Sequence, residues 1–265
     1  MQRGAVQHET PCGAGRMVWH AWGAGPPLVL LHGGTGSWRH WVRNIEAFAD
    51  HRLVVCPDLP GLGCSDMPPD PENPPAMAAI LADGLDAVVG PDGVYDVAGF
   101  SYGGVMAGVL AARDRKRVRS LTIVGSGGLG LPRGPTRLVK VRHLAGEARV
   151  AAHRANLAAL MFADPAKIDD LALLIQDWNT RHSRLKSPLI SRGTWLRDAL
   201  EGLRCQVNGI WGGLDAPSLP DIGARERAMR ALQPRLRFQA IEGAGHWVSY
   251  EAAPAFNATL RGMLD

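Results

Sequence analysis

The chain of 265 residues holds few cysteines: Cys12, Cys56, Cys64 and Cys205. No two of them form a Cys-x-x-Cys pair and no spacing among them fits a zinc site, so neither a disulfide framework nor a structural metal is expected. They read as reduced thiols in a cytoplasm. No apolar run approaches the length of a bilayer span, which sets aside a transmembrane protein. The opening residues, MQRGAVQHETPCGAGR, lack an apolar core and do not read as a secretory signal. Internal repeats and low-complexity tracts are missing; the 19 prolines and 32 glycines gather at expected turns. A strong charge imbalance is missing too. A formal net charge of +4 and a pI of about 9.1 are too mild to argue for nucleic acid as a partner.

What is present is a globular composition, 46% hydrophobic and 20% charged. A chain of this length buries roughly three quarters of its unfolded surface and folds without staples. It suffices for one large domain, or one domain carrying an insertion. The charge is unevenly spread. Residues 130–204 hold thirteen basic side chains against seven acidic ones, so the rest of the chain is slightly acidic. Two readings fit: a solvated helical face, or a field that draws an anionic substrate into a cleft beneath this segment.

Apolar runs and turn residues set out the elements. Met17–Trp22 alternates and reads as a strand near an edge. Leu28–Leu31 and Leu53–Cys56 are continuous apolar runs, as expected of strands covered on both faces. Helices are expected over Trp38–Ala49 and Met77–Val89. Tyr95–Ala98 and Arg119–Val124 read as further strands around a small, apolar helix at Gly104–Ala112. After Val124 the alternation stops. Residues 130–203 hold helical stretches, Ala148–Phe162 and Ile168–Thr180, and no clear buried strand. It resumes with strands at Gln206–Trp211 and Leu236–Ile241 and a final helix over Val248–Leu264. Alternating strands and helices imply an α/β fold: a doubly wound, mostly parallel sheet with helices on both sides. The break predicts a helical cap, residues 130–203, inserted into a core formed by residues 1–129 and 204–265.

Chemistry concentrates at strand ends. Gly99-Phe100-Ser101-Tyr102-Gly103 lies between an apolar strand and a small-residue helix, the setting that a nucleophile elbow requires. The sharp turn strains the serine backbone, and glycine two before and two after removes bulk there. A serine hydroxyl needs an imidazole to take its proton, and the imidazole needs a carboxylate to fix its tautomer. In doubly wound sheets such groups gather on loops leaving the carboxyl ends of strands. Those loops offer Asp215, in Gly212-Gly213-Leu214-Asp215, and His246, in Gly243-Ala244-Gly245-His246. Asp221 is a second candidate for the acid or for a helix cap. His32 reads as a residue tying its loop down, and Asp58 and Asp96 as residues closing turns. Trp38, Trp41, Trp178 and Trp195 read as pocket lining or as core.

Four motifs in this order, HGGTGSW at 32–38, GFSYGG at 99–104, WGGLD at 211–215 and GAGHWVSYE at 243–251, resemble the α/β-hydrolase superfamily over essentially the whole chain. The resemblance implies Ser101 as nucleophile, His246 as general base and Asp215 as its orienting acid. It implies an oxyanion hole from the backbone N–H groups of Gly34 and Tyr102, and no metal or organic cofactor. Phe100, Trp38, Trp247 and Arg192 are the candidate pocket residues. The first loop and the GHWVSYE segment are similar to carbon–carbon bond hydrolases acting on ring-fission products. Two features depart from them: Phe100 stands where those enzymes carry Asn, and no single residue stands out as the counterpart of their cap arginine, with Arg181, Arg184 and Arg192 as candidates. An apolar Phe100 suits a less polar acyl group. Ester hydrolysis is therefore the first expectation, carbon–carbon hydrolysis the second, and a ligand-binding homologue without turnover the third. Aspartate-nucleophile dehalogenases and epoxide hydrolases are set aside by Ser101. A cofactor-free haloperoxidase or perhydrolase side activity stays open. The expected partner is a small molecule, with neither nucleic acid nor membrane. No oligomeric state is set; a homodimer is compatible with the sequence.

Overall fold

The computed structural model describes residues 4–264. Eight strands form one sheet: β1 (Val6–Cys12), β2 (Gly15–Trp22), β3 (Pro27–Leu31), β4 (Leu53–Pro57), β5 (Tyr95–Phe100), β6 (Val118–Val124), β7 (Gln206–Gly212) and β8 (Arg237–Ile241). Their spatial order is β1-β2-β4-β3-β5-β6-β7-β8. The pairs β1–β2 and β2–β4 are antiparallel, and every later pair is parallel. The helices are α1 (Ile45–Ala49), α2 (Pro74–Val89), α3 (Tyr102–Arg113), α4 (Gly146–Leu160), α5 (Asp170–Arg181), α6 (Pro188–Arg192), α7 (Trp195–Leu200), α8 (Gly223–Leu232), α9 (Val248–Glu251) and α10 (Ala253–Leu264).

The two-residue period of the strands divides the core between two faces. From β3, Val29 and Leu31 join one buried cluster with Leu81 of α2, Leu110 of α3, Leu196 of α7 and Met229 of α8. Leu28 and Leu30 join the other, with Ile45 of α1 and Phe256 and Leu260 of α10. Covered on both faces, β3 and β4 are the unbroken apolar runs that such burial requires. The α/β architecture expected from the sequence is the one found.

Three local differences have physical causes. The polar strand β1 escapes a hydrophobic reading because it is an edge strand with four of its seven residues exposed; an edge also tolerates Pro11. The expected Trp38–Ala49 helix splits into a 3-10 turn, Trp38–Trp41, and the short α1. Tertiary bonds hold the split: the Trp38 N–H donates to Asp58 Oδ1 at 2.9 Å, and Asn44 Nδ2 donates to Ser249 O and Asn257 Oδ1. The last helix breaks at Ala252, between α9 and α10. Pro254 has no N–H to donate to the Tyr250 carbonyl four residues back, and Arg43 donates to that carbonyl instead.

Among the described residues, the segment 130–203 carries α4 to α7 and no strand. Its helices have two destinations. The last, α7, packs on α3 on one side of the sheet: a Cβ on Gly108 of α3 would meet Leu196 at 2.5 Å. By contrast α4 and α5 are bolted across the carboxyl ends of the strands. Ser37 Oγ donates to Asn179 Oδ1 at 2.7 Å, the Trp247 N–H donates to Met161 O at 2.8 Å, and Tyr250 Oη donates to Asp169 Oδ1 at 2.6 Å. Among the described residues no helix is long and apolar enough to cross a membrane.

Candidate active site

Ser101 caps α3 directly after β5, with φ 53° and ψ −116°. A non-glycine residue in this region is strained, and surrounding structure must hold it. The hold is visible. The Ser101 N–H donates to Val124 O at 2.8 Å, and Ser126 Oγ donates to Ser101 O at 2.7 Å. The flanking glycines are obligatory: a Cβ on Gly99 would sit 2.2 Å from Gly103 O, and one on Gly103 would sit 2.3 Å from Leu31 O.

Asp215 follows β7 and is fully buried. Its Oδ1 accepts the Ser218 N–H at 3.1 Å while its Oδ2 lies 2.8 Å from His246 Nδ1. His246 Nε2 in turn lies 3.1 Å from Ser101 Oγ. Three side chains distant in sequence thus form one unbroken line of hydrogen-bond contacts at one rim of the sheet. Asp221, the rival acid, takes the other role: it caps α8 through the Ala224 N–H at 2.9 Å and pairs with Arg227 at 2.6 Å.

Two further residues shape this line. Gly125, at φ 51° just after β6, faces the carboxylate and imidazole: a Cβ there would meet Asp215 Oδ2 at 2.9 Å and His246 Nδ1 at 3.4 Å. Glu251, buried, gathers the N–H groups of Gly245 (2.6 Å), Asp164 (2.8 Å) and Ala163 (3.0 Å). It therefore ties the His246 loop to the end of α4. Neither role was read from the sequence. The one signal for Gly125 was its place at a strand's carboxyl end, in the run Gly125-Ser126-Gly127-Gly128.

The loop after β3 is held by histidines. His32 Nε2 accepts the Leu59 N–H at 2.9 Å and Nδ1 donates to Gly33 O at 2.8 Å. Burial pushes the His32 pKa down to about 4, so it is neutral, as these two bonds require. His40, also buried, accepts the Gly33 N–H at Nδ1; burial, then His32 and His246, hold its pKa well below the usual range. His32 thus ties its loop down, as expected. Asp58 closes the neighbouring turn by accepting the Trp38 and Cys64 N–H groups. Asp96 does not close a turn. It lies inside β5, bonded to Ser120 and paired with Arg52 and Arg119.

A cavity of about 750 Å³ opens over Ser101 and His246, with Gly34, Tyr102, Phe100 and Arg192 in its wall. The Phe100 ring lies 4.9 Å from the imidazole of His246. Trp38 and Trp247, expected in the pocket, are not in this wall. Trp38 packs on Trp22 and His20. Trp247 stacks on Tyr250 at 4.2 Å and donates its indole N–H to His40 O. Both are core side chains because their indoles fill space behind the site's loops. Trp41, Trp178 and Trp195 also lie outside this wall. Of the three cap-arginine candidates, Arg181 pairs with Asp177, Arg184 donates to Gly63 O and Ser65 O, and only Arg192 reaches the cavity. The sequence reading missed two others that do, Arg133 and Arg137. Arg133 feels Asp215 and Arg192 electrostatically.

A family profile described as "Alpha/beta hydrolase family" matches residues 28–259. The chain belongs to this family. It is 36% identical over 117 residues, 43% of its length, to a 2-hydroxymuconate semialdehyde hydrolase of Pseudomonas sp. (strain CF600); that match spans only 41% of the relative. It is 29% identical over 278 residues to a dihydrolipoyllysine-residue acetyltransferase component of an acetoin cleaving system from Pseudomonas putida, covering 99% of this chain and 70% of that one. Among solved structures, an esterase from Rhodococcus sp. ECU1013 superposes with a TM-score of 0.79 at 21% identity, covering 97% of each chain. That likeness is one of fold.

Proposed function

We propose that the chain is a serine hydrolase that cleaves a small carboxylic ester through an acyl-enzyme. The observation that carries this reading is the line Ser101–His246–Asp215, with contacts of 3.1 and 2.8 Å under an open cavity. In the proposed reaction Ser101 Oγ attacks the carbonyl carbon while His246 Nε2 takes the hydroxyl proton. Asp215, paired with Nδ1, holds the tautomer and stabilises the imidazolium. The negative charge rests on the backbone N–H groups of Gly34 and Tyr102, each such donor being worth about 3 kcal/mol. Tyr102 opens α3, so its N–H belongs to the helix end that lacks intrahelical acceptors. The carbon–oxygen bond breaks, and His246 returns the proton to the leaving alcohol. Water, deprotonated by His246, then releases the acid and restores the serine. The helices α4 to α6 act as a cap over the cavity. Arg133, Arg137 and Arg192 bias the entrance toward anionic substrates.

Replacing Ser101 by Ala abolishes turnover of p-nitrophenyl butyrate in this reading; full activity in that variant rules out the nucleophile. Rapid labelling of Ser101 by a fluorophosphonate is the expected result for an enzyme. Failure to label favours a binding protein that has lost its base.

A second reading is favoured by the name of one relative, 2-hydroxymuconate semialdehyde hydrolase. Under it the same three residues serve the breaking of a carbon–carbon bond next to a carbonyl in a ring-fission product. A panel of esters and dienoate ring-fission products separates the two: turnover of a dienoate supports the second reading, and turnover of esters with no dienoate cleaved supports the first.

A further inference from the structure

A second cavity of about 440 Å³ continues the first. The two share Gly34, Thr35, Leu138, Leu160 and Met161. Its far wall is the irregular stretch 138–143, facing Asn156 of α4 and Gln176 and Thr180 of α5. This stretch has no backbone ladder of its own, yet it is fastened. Asn156 bonds both backbone groups of one residue: its Oδ1 accepts the Val139 N–H at 2.7 Å and its Nδ2 donates to Val139 O at 2.9 Å. Arg149 Nη1 donates to Val141 O at 2.7 Å, and Arg149 is itself anchored on Asp177. Such bonds fix a wall that would otherwise be a free loop. Leu138 and Val139 are nevertheless 51% and 48% exposed. The same stretch also carries Lys140, Arg142 and His143, so the apolar surface open to the cavity is the adjoining run Leu138 and Val139 with Leu160 and Met161, a strip that an apolar chain can cover.

The two ends of the site differ. The second cavity is walled by Gly34 and Thr35 but not by His246. A small cleft at the opposite end is walled by His246, Arg133 and Arg192 but not by Gly34. In the reaction proposed above, the acyl oxygen turns toward the Gly34 amide and the leaving oxygen toward His246. From this we infer that the second cavity is the acyl subsite, and that the preferred acyl group is a straight apolar chain longer than butanoyl, since a lobe of about 440 Å³ exceeds the room a few methylenes need. The leaving group then lies at the arginine end. The inference rests on the ester reading and sharpens its acyl half.

The test uses p-nitrophenyl butanoate, octanoate and decanoate below their micelle concentrations, with the whole chain and with Gln176→Trp. Gln176 walls the second cavity but not the first, so the indole fills the lobe and leaves the serine untouched. Each buried methylene is worth about a fourfold gain at best. The expected result is a kcat/KM at least tenfold higher for decanoate than for butanoate in the wild type, erased in Gln176→Trp with the butanoate rate preserved. Decanoate anion should inhibit butanoate hydrolysis competitively, and Gln176→Trp should relieve the inhibition. Asn156→Ala, which frees the wall, should lose part of the long-chain preference. A profile that peaks at butanoate, or a decanoate preference that survives Gln176→Trp, overturns the acyl subsite and leaves the ester reading standing. Turnover of no ester by a protein whose Ser101 labels overturns both.

Discussion

The rim of the sheet and the segment above it treat their polar groups in opposite ways. At the rim every named group is spent inside the protein. Asp215 is shared between the Ser218 N–H and His246, Glu251 collects three backbone N–H groups, and His32 bridges two loops. In the segment, Arg149 and Arg181 are spent on Asp177 and Arg184 on carbonyls. Arg133, Arg137 and Arg192, which reach the cavity, have no such bond among the described residues. Closed networks fix a geometry. Cations left open toward a cavity await something from outside. The comparison teaches that the rim is fixed by its own bonds, whereas the segment keeps three cations open; in the reaction proposed above, the first would carry the chemistry and the second would select the substrate.

Breaking the rim should cost most. Asp215→Asn preserves shape but offers Nδ1 the wrong partner, and about a 10⁴-fold loss in kcat is expected with little change in KM; steady-state kinetics on butyrate esters decide it. Gly125→Ala adds a methyl group 2.9 Å from Asp215 Oδ2 at a strained φ. The displaced carboxylate should lower kcat about 100-fold in a protein whose circular dichroism is unchanged. An unaltered kcat would remove Gly125 from the site's support.

The next effect concerns pH. The pKa of His32 falls to about 4 through burial, so the unfolded chain binds its proton first. Stability is therefore full above about pH 6.5 and is lost as pH falls toward 4. At pH 5 this one histidine costs about 2 kcal/mol. Urea midpoints at pH 7 and pH 5 should differ accordingly, and the difference should shrink in His32→Gln, whose amide can accept from Leu59 and donate to Gly33 O.

The smallest effect probes the segment. Arg192→Ala should lower kcat/KM for an ester with a carboxylate in its leaving group about tenfold and leave a neutral ester unchanged. Rising salt should narrow the gap between the two substrates, because screening weakens an open cation. Equal losses for both substrates would move Arg192 from choosing substrates to holding structure.

Much of the fold was legible because buried parallel strands must be apolar on both faces. Leu28–Leu31 and Leu53–Cys56 announced themselves, and an edge strand such as Val6–Cys12 did not. Ser101, Asp215 and His246 were legible by a different route: strand-end loops are few, and a serine between glycines limits the search. The tryptophans were not, since an indole reads alike in a core and in a pocket wall. Arg133 and Arg137 were hidden because they lie in a stretch without periodicity, whose backbone is held by Arg225 at Pro132, by Pro217 at Gly134 and by Asn156 at Val139.

Sequence alone determined the alternation of strands and helices, the strained serine turn and the chain order of the three polar residues, because each depends on local sterics or on burial of neighbouring side chains. Tertiary structure alone decided the 3.1 Å and 2.8 Å contacts, the company of Trp38 and Trp247, and which arginines face the cavity. Those depend on distances between residues up to 207 positions apart, which only the closed sheet and the bolted helices set.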